Sequence, residues 1–289
     1  MDNYLNAFRE MISLRGLTDH TLKNYCTYIR AYLDYLSNVL HKSPEAVSWP
    51  ELRDYIRWLQ INRALSDRTI NCAISQLRFF TLYVLHKPWD DTQLPMRRFD
   101  EYLPFVPSRE EVAALIHAMP DLKQKAMVAL MYSSGLRIGE VCHLRYPDID
   151  RKNMRIHIRH TKNRSDRYAI LSKKALDILT AYWFAFDRPM DWLFPKQYCS
   201  DKPIDTFFIS RHIHDVERSL GWERRITCHS LRHAFGTHLY EDGVDLLTIK
   251  SLLGHRSLNS TTIYVHLASN GTAGAVSPFD RLEGGFHAE

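Results

Sequence analysis

The chain has 289 residues, 45% of them hydrophobic and 25% charged, with a formal net charge of +5. That is material for two ordinary domains, each with its own core, in an ordinary soluble protein. No apolar run is long enough to cross a bilayer, and Met1-Asp2-Asn3-Tyr4 offers neither a basic nor an apolar signal region, so a membrane protein or a secreted one is not expected. Five cysteines (Cys26, Cys72, Cys142, Cys199, Cys228) with no CxxC argue against a disulfide framework or a zinc knuckle and fit a reducing cytoplasm. The mild basicity permits nucleic-acid binding and proves little alone.

Residues 1–87 carry helical periodicity. Tyr4 to Leu14 make a first helix. Thr18 suits the N-cap of a second, with Leu22, Tyr25, Ile29, Leu33 and Leu36 at three- and four-residue steps. Pro50 fits the first turn of a third, with Leu52, Ile56 and Leu59 inward. Ser66 or Asp67 can cap a fourth, carrying Ile70, Ile74, Leu77, Phe80 and Leu82. The next stretch is punctuated by Pro88, Pro95, Pro104 and Pro107 and by charges at Asp90, Asp91, Arg97, Arg98, Asp100 and Glu101. The division expected is a helical domain over 1–90, an extended linker over 91–107 and a second domain over 108–289.

The second domain reads as mixed, so the whole is mainly α with a small antiparallel β-sheet. Ser108 with Glu111 forms a capping box. A helix over 122–132 ends at Ser133-Ser134-Gly135, and another restarts near Leu136. Met154 to Arg159 alternate as a strand, Asn163 to Asp166 turn, and Tyr168 to Leu171 return. Helices follow around 173–186, 206–219, 230–241, 245–253 and 258–267. Gly254 suits a left-handed C-cap and Ser257 a following N-cap. The stretch from Asn270 to Glu289 reads as weakly structured.

The chemistry-bearing residues cluster late. His229, Arg232, His233 and Gly236 fall at i, i+3, i+4 and i+7, hence on one helical face, beside an apolar face of Leu231, Phe235 and Leu239. A face of Arg and His suits phosphate, because a guanidinium donates two parallel hydrogen bonds to two oxygens. Arg137, in Ser134-Gly135-Leu136-Arg137-Ile138-Gly139-Glu140, sits at a helix start, where free N–H groups also favour an anion. Glu140, one turn on, can orient a neighbouring Arg or His. Lys162 lies at the hairpin tip, from which an ammonium can reach a leaving oxygen. Each has a plainer reading: solvated Arg and Lys, a surface ion pair for Glu140, helix-end punctuation for His255, an amphipathic core-edge residue for Tyr264. His229 and His233 are spaced like zinc ligands, but HExxH and a third ligand are lacking, so no metal or other cofactor is expected.

Taken together and in order, these pieces resemble the tyrosine recombinases, the family of phage integrases, Xer recombinases and transposon integrases. The matching residues are Arg137 in SGLRIGE, Lys162 in HTKNR, His229 and Arg232 in HSLRH, His255 in LLGH and Tyr264 in TTIYVH. The resemblance covers the whole chain, with a helical core-binding domain in front and a mixed α/β catalytic domain behind, and no additional arm-binding domain before them. It implies that Tyr264 attacks a DNA phosphodiester to leave a 3′-phosphotyrosyl link and a free 5′-hydroxyl. Strands then exchange through a Holliday junction, without metal or ATP, in a tetramer holding two specific duplex sites. Arg137, Arg232 and His255 would bind the phosphate, His229 accept or position the phenol proton, Lys162 act as general acid, and Glu140 support. Lys162 is flanked by Thr161 and Asn163 where many relatives carry glycine, leaving Arg164 and Arg167 as alternatives for the acid. Lys23, Arg68, Arg78 and Arg211 are candidates for reading bases. A non-catalytic DNA-binding protein on the same fold, a type IB topoisomerase-like relaxing enzyme and a zinc hydrolase remain as alternatives.

Overall fold

A computed structural model describes residues 2–17, 19–100, 102–159, 166–197 and 199–268. The chain divides into two compact units between Glu101 and Tyr102.

The first unit is built from α1 (Asp2–Ser13), α2 (Asp19–Tyr35), α3 (Trp49–Asn62) and α4 (Asp67–Tyr83). Thr18, expected as the cap of α2, lies outside the described residues. The α2 helix runs on into one wide π-helical turn, Leu36–Leu40, ended by His41 in the left-handed region at φ 52°. Ser48 and Glu51 close a capping box on α3, with Pro50 in its first turn. Ser66 rather than Asp67 caps α4, accepting from the Thr69 N–H. The inward stripes meet in a core that includes Phe8, Ile12, Ile29, Leu36, Tyr55, Ile70, Ile74, Leu77 and Phe80. Part of the stretch expected to be linker is folded onto this unit. Leu94 is buried in the core. Asn71 holds the Arg97 backbone from both sides, donating Nδ2 to its carbonyl at 2.9 Å and accepting its N–H at 2.8 Å. Arg97 also pairs with Asp67 at 2.6 Å.

The second unit opens with α5 (Arg109–Ala118), capped by Ser108 and Glu111, and α6 (Leu122–Ser133), capped by Asp121. Helix α6 is buried on nearly every face, from Ala126 to Met131, and forms the central post of the unit. Gly135 (φ +62°) turns the chain out of it. Leu136 is buried, but the helix restarts only at α7 (Ile138–Cys142), because Arg137 is extended (φ −72°, ψ 150°) and serves as its N-cap. Strands β1 (Ile149–Asp150), β2 (Arg155–Ile158) and β3 (Arg167–Ile170) form one antiparallel sheet in that order, with Ile156 opposite Ala169 and His157 opposite Tyr168. Ile156, Ile158 and Ala169 face the core. After α8 (Lys173–Ala185) comes a second antiparallel pair that periodicity did not suggest, β4 (Pro195–Lys196) with β5 (Cys199–Pro203). The chain then forms α9 (Thr206–Ser219), α10 (Cys228–Glu241), α11 (Leu246–Leu253) and α12 (Asn259–Leu267). Ser257 is not the N-cap of α12. Leu258 already has helical angles at that position, and the Ser257 hydroxyl instead accepts the Asn259 N–H at 3.2 Å. Among the described residues no helix is long and apolar enough to cross a membrane.

Candidate active site

Helix α10 carries the centre of the site. Its start is fixed by Thr227, whose hydroxyl accepts the Ser230 N–H at 3.0 Å. From there Leu231 and Phe235 point into apolar clusters while His229, Arg232, His233 and Gly236 share another face. Arg232 is 2% exposed. Its two terminal nitrogens each donate 2.6 Å bonds to main-chain carbonyls, Nη1 to Gly135 and Nη2 to Leu253. A buried guanidinium is tolerable only with such partners. Burial still pushes Arg232 down to about 10, helped by the neighbouring charge of Arg137, which leaves it cationic at neutral pH. Gly135 permits this arrangement twice over. Its φ is left-handed, and a Cβ there would stand 2.4 Å from the Phe235 ring and 2.8 Å from Leu253.

Arg137 is held by Glu140. The carboxylate accepts the Arg137 N–H at 2.9 Å and its Nη1 at 2.8 Å. The same carboxylate receives a two-pronged bond from Arg167 on β3, Nη1 to Oε1 at 2.8 Å and Nη2 to Oε2 at 2.9 Å. The Glu140 side chain is 8% exposed and that of Arg167 is 9%. This is therefore a buried, shared carboxylate and not the surface pair that spacing alone would suggest. Burial works to raise the Glu140 carboxyl, but hydrogen bonding and charge from Arg167 and Arg137 outweigh it and hold it below its ordinary value. Arg167, an alternative for the acid in the sequence, is engaged here with Glu140. Lys162 and Arg164 lie outside the described residues.

Helix α11 ends at Gly254, left-handed at φ 66°, and this turn delivers His255. The His255 Nδ1 lies 3.0 Å from the hydroxyl of Thr261, a fully buried residue on α12. One turn on, Tyr264 is 1% exposed. Its ring lies nearly parallel to His255, with centroids 6.3 Å apart, and 6.1 Å from His233, whose own ring meets that of His229 edge-on at 4.6 Å. Gly236 forms the floor beneath the phenol, since a Cβ there would lie 2.5 Å from Cζ. Burial pushes the Tyr264 phenol up to about 12 even though the Arg232 and Arg137 guanidiniums pull it down. Burial is the first cause lowering all three imidazoles: His229, with Arg232 and Arg137 next, falls below its ordinary value, His233, with His229 and then Arg232 next, is pushed down to about 4, and His255, with Arg232 and Arg137 next, also to about 4. The imidazoles are thus neutral at neutral pH, able to accept a proton or to donate one hydrogen bond.

The structure accordingly brings Arg137, Glu140, His229, Arg232, His255 and Tyr264 into one site within the second unit. It adds Thr261, which spacing did not single out, and gives new parts to two residues the sequence did: Arg167 as the second partner of Glu140 and Gly236 as the support of the Tyr264 ring. The base-reading candidates Lys23, Arg68, Arg78 and Arg211 are all exposed. Arg78 pairs with Asp91 at 3.1 Å and Arg211 with Asp215 at 3.8 Å, while Arg68 lies over the Phe99 ring. Among the described residues, no three His, Cys, Asp or Glu side chains are grouped so as to hold a metal ion.

Comparison with known proteins gives the family and the fold. Residues 108–270 match the phage integrase family, and residues 4–91 match the phage integrase N-terminal SAM-like domain. The provisional integrase/recombinase y4qK of Sinorhizobium fredii is 34% identical over 277 residues, covering 94% of this chain and 87% of that protein. Tyrosine recombinase XerA of Thermococcus kodakarensis is 30% identical over 266 residues, covering 90% and 89%. In fold, the chain matches the crystal structure of the XerH site-specific recombinase bound to its difH substrate in a post-cleavage complex. The TM-score is 0.73 at 19% identity, over 90% of this chain and 80% of that one. With both units matched and the arginines, histidines and tyrosine gathered in the second, the chain belongs to the phage integrase family of tyrosine recombinases.

Proposed function

We propose that this protein cuts and rejoins duplex DNA at a specific site, with Tyr264 as nucleophile. The observation that carries this reading is the position of the Tyr264 ring, within the field of both Arg232 and Arg137 and flanked by His233 and His255. The Tyr264 Oη forms a bond to phosphorus and the bond from phosphorus to the 5′-oxygen breaks, leaving a 3′-phosphotyrosyl ester and a 5′-hydroxyl. Charge that builds on the non-bridging oxygens is met by donors of Arg137 and Arg232 that their carboxylate and carbonyl partners leave free, and by His255. The Arg137 side chain is 26% exposed, so the phosphate approaches from its side. With its pKa near 12, Tyr264 must shed its proton as it attacks. His229 accepts this proton or positions its acceptor; its ring stands edge-on to that of His233, which lies beside the phenol. Lys162 is proposed as the acid that protonates the departing 5′-oxygen.

In this reading the guanidiniums supply the charge stabilisation that a metal ion supplies in other phosphoryl-transfer sites. The protein–DNA ester conserves the bond energy, so no ATP is needed. A 5′-hydroxyl from a partner duplex reverses the step, and two rounds proceed through a Holliday junction in a tetramer on two sites. Residues 1–90 act as the core-binding domain and residues 108–289 as the catalytic domain. The cytoplasm is the proposed compartment. The test is incubation with a nicked suicide duplex in EDTA. A covalent protein–DNA band that disappears in Tyr264→Phe is the expected result. Tight binding without a band on a selected site would instead mark a non-catalytic DNA-binding protein, and relaxation of any supercoiled plasmid would mark a topoisomerase.

A further inference from the structure

Arg167 lies on β3, outside the set of residues that would touch DNA. Yet its guanidinium joins two elements that carry that set. Two of its nitrogens clasp Glu140 on α7, the carboxylate that also holds Arg137. Its Nε donates to the Leu252 carbonyl at 3.2 Å, in the last turn of α11, which presents His255. Its Cδ packs under Gly254, where a Cβ would come within 2.6 Å of it. The Leu253 carbonyl, one residue beyond its own acceptor, receives Nη2 of Arg232. A single buried side chain thus fixes the distance between the end of α11 and the Arg137 clamp.

We infer that Arg167 is a positioning residue for strand cleavage: by bridging Glu140 to the Leu252 carbonyl it sets the spacing at which Arg137 and His255 meet the same phosphate. The inference rests on the phosphotyrosine reading above. It makes a distinction that burial alone does not. A merely structural arginine would, on replacement, weaken folding, DNA affinity and cleavage together. A positioning arginine would leave affinity, which sums many phosphate contacts over both units, and lower the chemical step. Lysine is the discriminating replacement. It retains the positive charge beside Glu140, but its ammonium is a point donor that lacks the planar fork needed to clasp both carboxylate oxygens and the carbonyl at once.

The experiment starts from a pool of nicked duplexes with a randomised core, from which sequences that the wild-type protein traps covalently are recovered. On one recovered duplex, R167K is compared with wild type for melting temperature, dissociation constant and single-turnover adduct formation. The same duplex is also prepared with a methylphosphonate at the scissile position, which develops less negative charge and depends less on a correctly aimed guanidinium. The expected result is an unchanged dissociation constant with adduct formation lowered by about tenfold or more, in line with the cost of small misplacement, and a smaller deficit on methylphosphonate. Should R167K prove unfolded, R167Q replaces it: the glutamine keeps a neutral donor beside Glu140, whose carboxylate stays paired with Arg137. It is expected to show the same split. A wild-type rate in R167K would overturn the inference, as would an equal deficit on both substrates accompanied by weaker binding. If the wild-type protein traps no duplex through Tyr264, the parent reading fails and this one with it.

Discussion

Gly236→Ala is the sharpest probe of how Tyr264 is seated. A methyl group at 236 would stand 2.5, 2.6 and 2.8 Å from Cζ, Cε1 and Cε2 of the phenol. Carbon atoms in ordinary contact lie ~3.5–4.0 Å apart, so the ring must retreat by about 1 Å. Overpacking of this kind costs about 1–3 kcal/mol. Replacing a helical glycine by alanine returns about 1 kcal/mol of backbone propensity. The net loss of stability is therefore about 0–2 kcal/mol, a fall of only a few degrees in Tm at about 2–4 °C per kcal/mol for a domain of this size. The effect on chemistry is larger, because a misplacement of ~1 Å can lower a rate ~100-fold. Adduct formation on the suicide duplex, followed over time beside a thermal melt, reads both quantities. Gly139→Ala is the internal control, since a Cβ there meets nothing within 4 Å. A Gly236→Ala protein that forms adduct at the wild-type rate would refute the idea that the phenol is positioned by contact with α10.

Three further outcomes follow from the site. Glu140→Gln leaves the buried Arg167 and the neighbouring Arg137 without their shared carboxylate, so the urea midpoint should fall by an amount equivalent to about 3–5 kcal/mol and adduct formation should be lost. Thr261→Val keeps the shape of a fully buried side chain but removes the 3.0 Å partner of His255 Nδ1. Melting should shift by an amount equivalent to about 1–3 kcal/mol, with adduct formation falling while DNA affinity holds. The depressed imidazoles give a pH dependence of defined sign. His233 and His255 take up protons near pH 6.5 when unfolded but only near pH 4 when folded. The unfolded chain then binds more protons between those values, and stability must fall as pH drops from about 6.5 to about 4. Denaturation midpoints across that range should lose part of their slope in His233→Asn/His255→Gln, and an unchanged slope would contradict the assignment.

What local sequence reveals in this protein is what local physics determines. The capping box at Ser108 and Glu111, the left-handed end at Gly254, and the placement of His229 and Arg232 on one face of α10 depend on residues within a few positions of one another, and all three appear as expected. Boundaries shift where a side chain competes with the backbone. Arg137 extends as an N-cap, so α7 starts after it, and Leu258 adopts helical angles and displaces Ser257 from the cap. The contacts that complete the site join distant parts of the chain: Arg167 to Glu140, Arg232 to Gly135, Asn71 to Arg97 in the first unit. No periodicity encodes those pairings. Their signals were present but ambiguous, an arginine at the start of the returning strand and a glycine at the end of the Ser133-Ser134-Gly135 stretch. Short strands such as β4 and β5, held by pairing and not by alternation, leave even less trace.

The anchorage of Arg232 has an evolutionary corollary. Both of its acceptors are peptide oxygens, at Gly135 and Leu253. A peptide oxygen is present whatever side chain its residue bears, so a change of side chain at 253 need not abolish that acceptor, whereas the left-handed backbone and the nearby Phe235 ring tie the other to glycine at 135. The location of this cation is inherited with the trace of the chain.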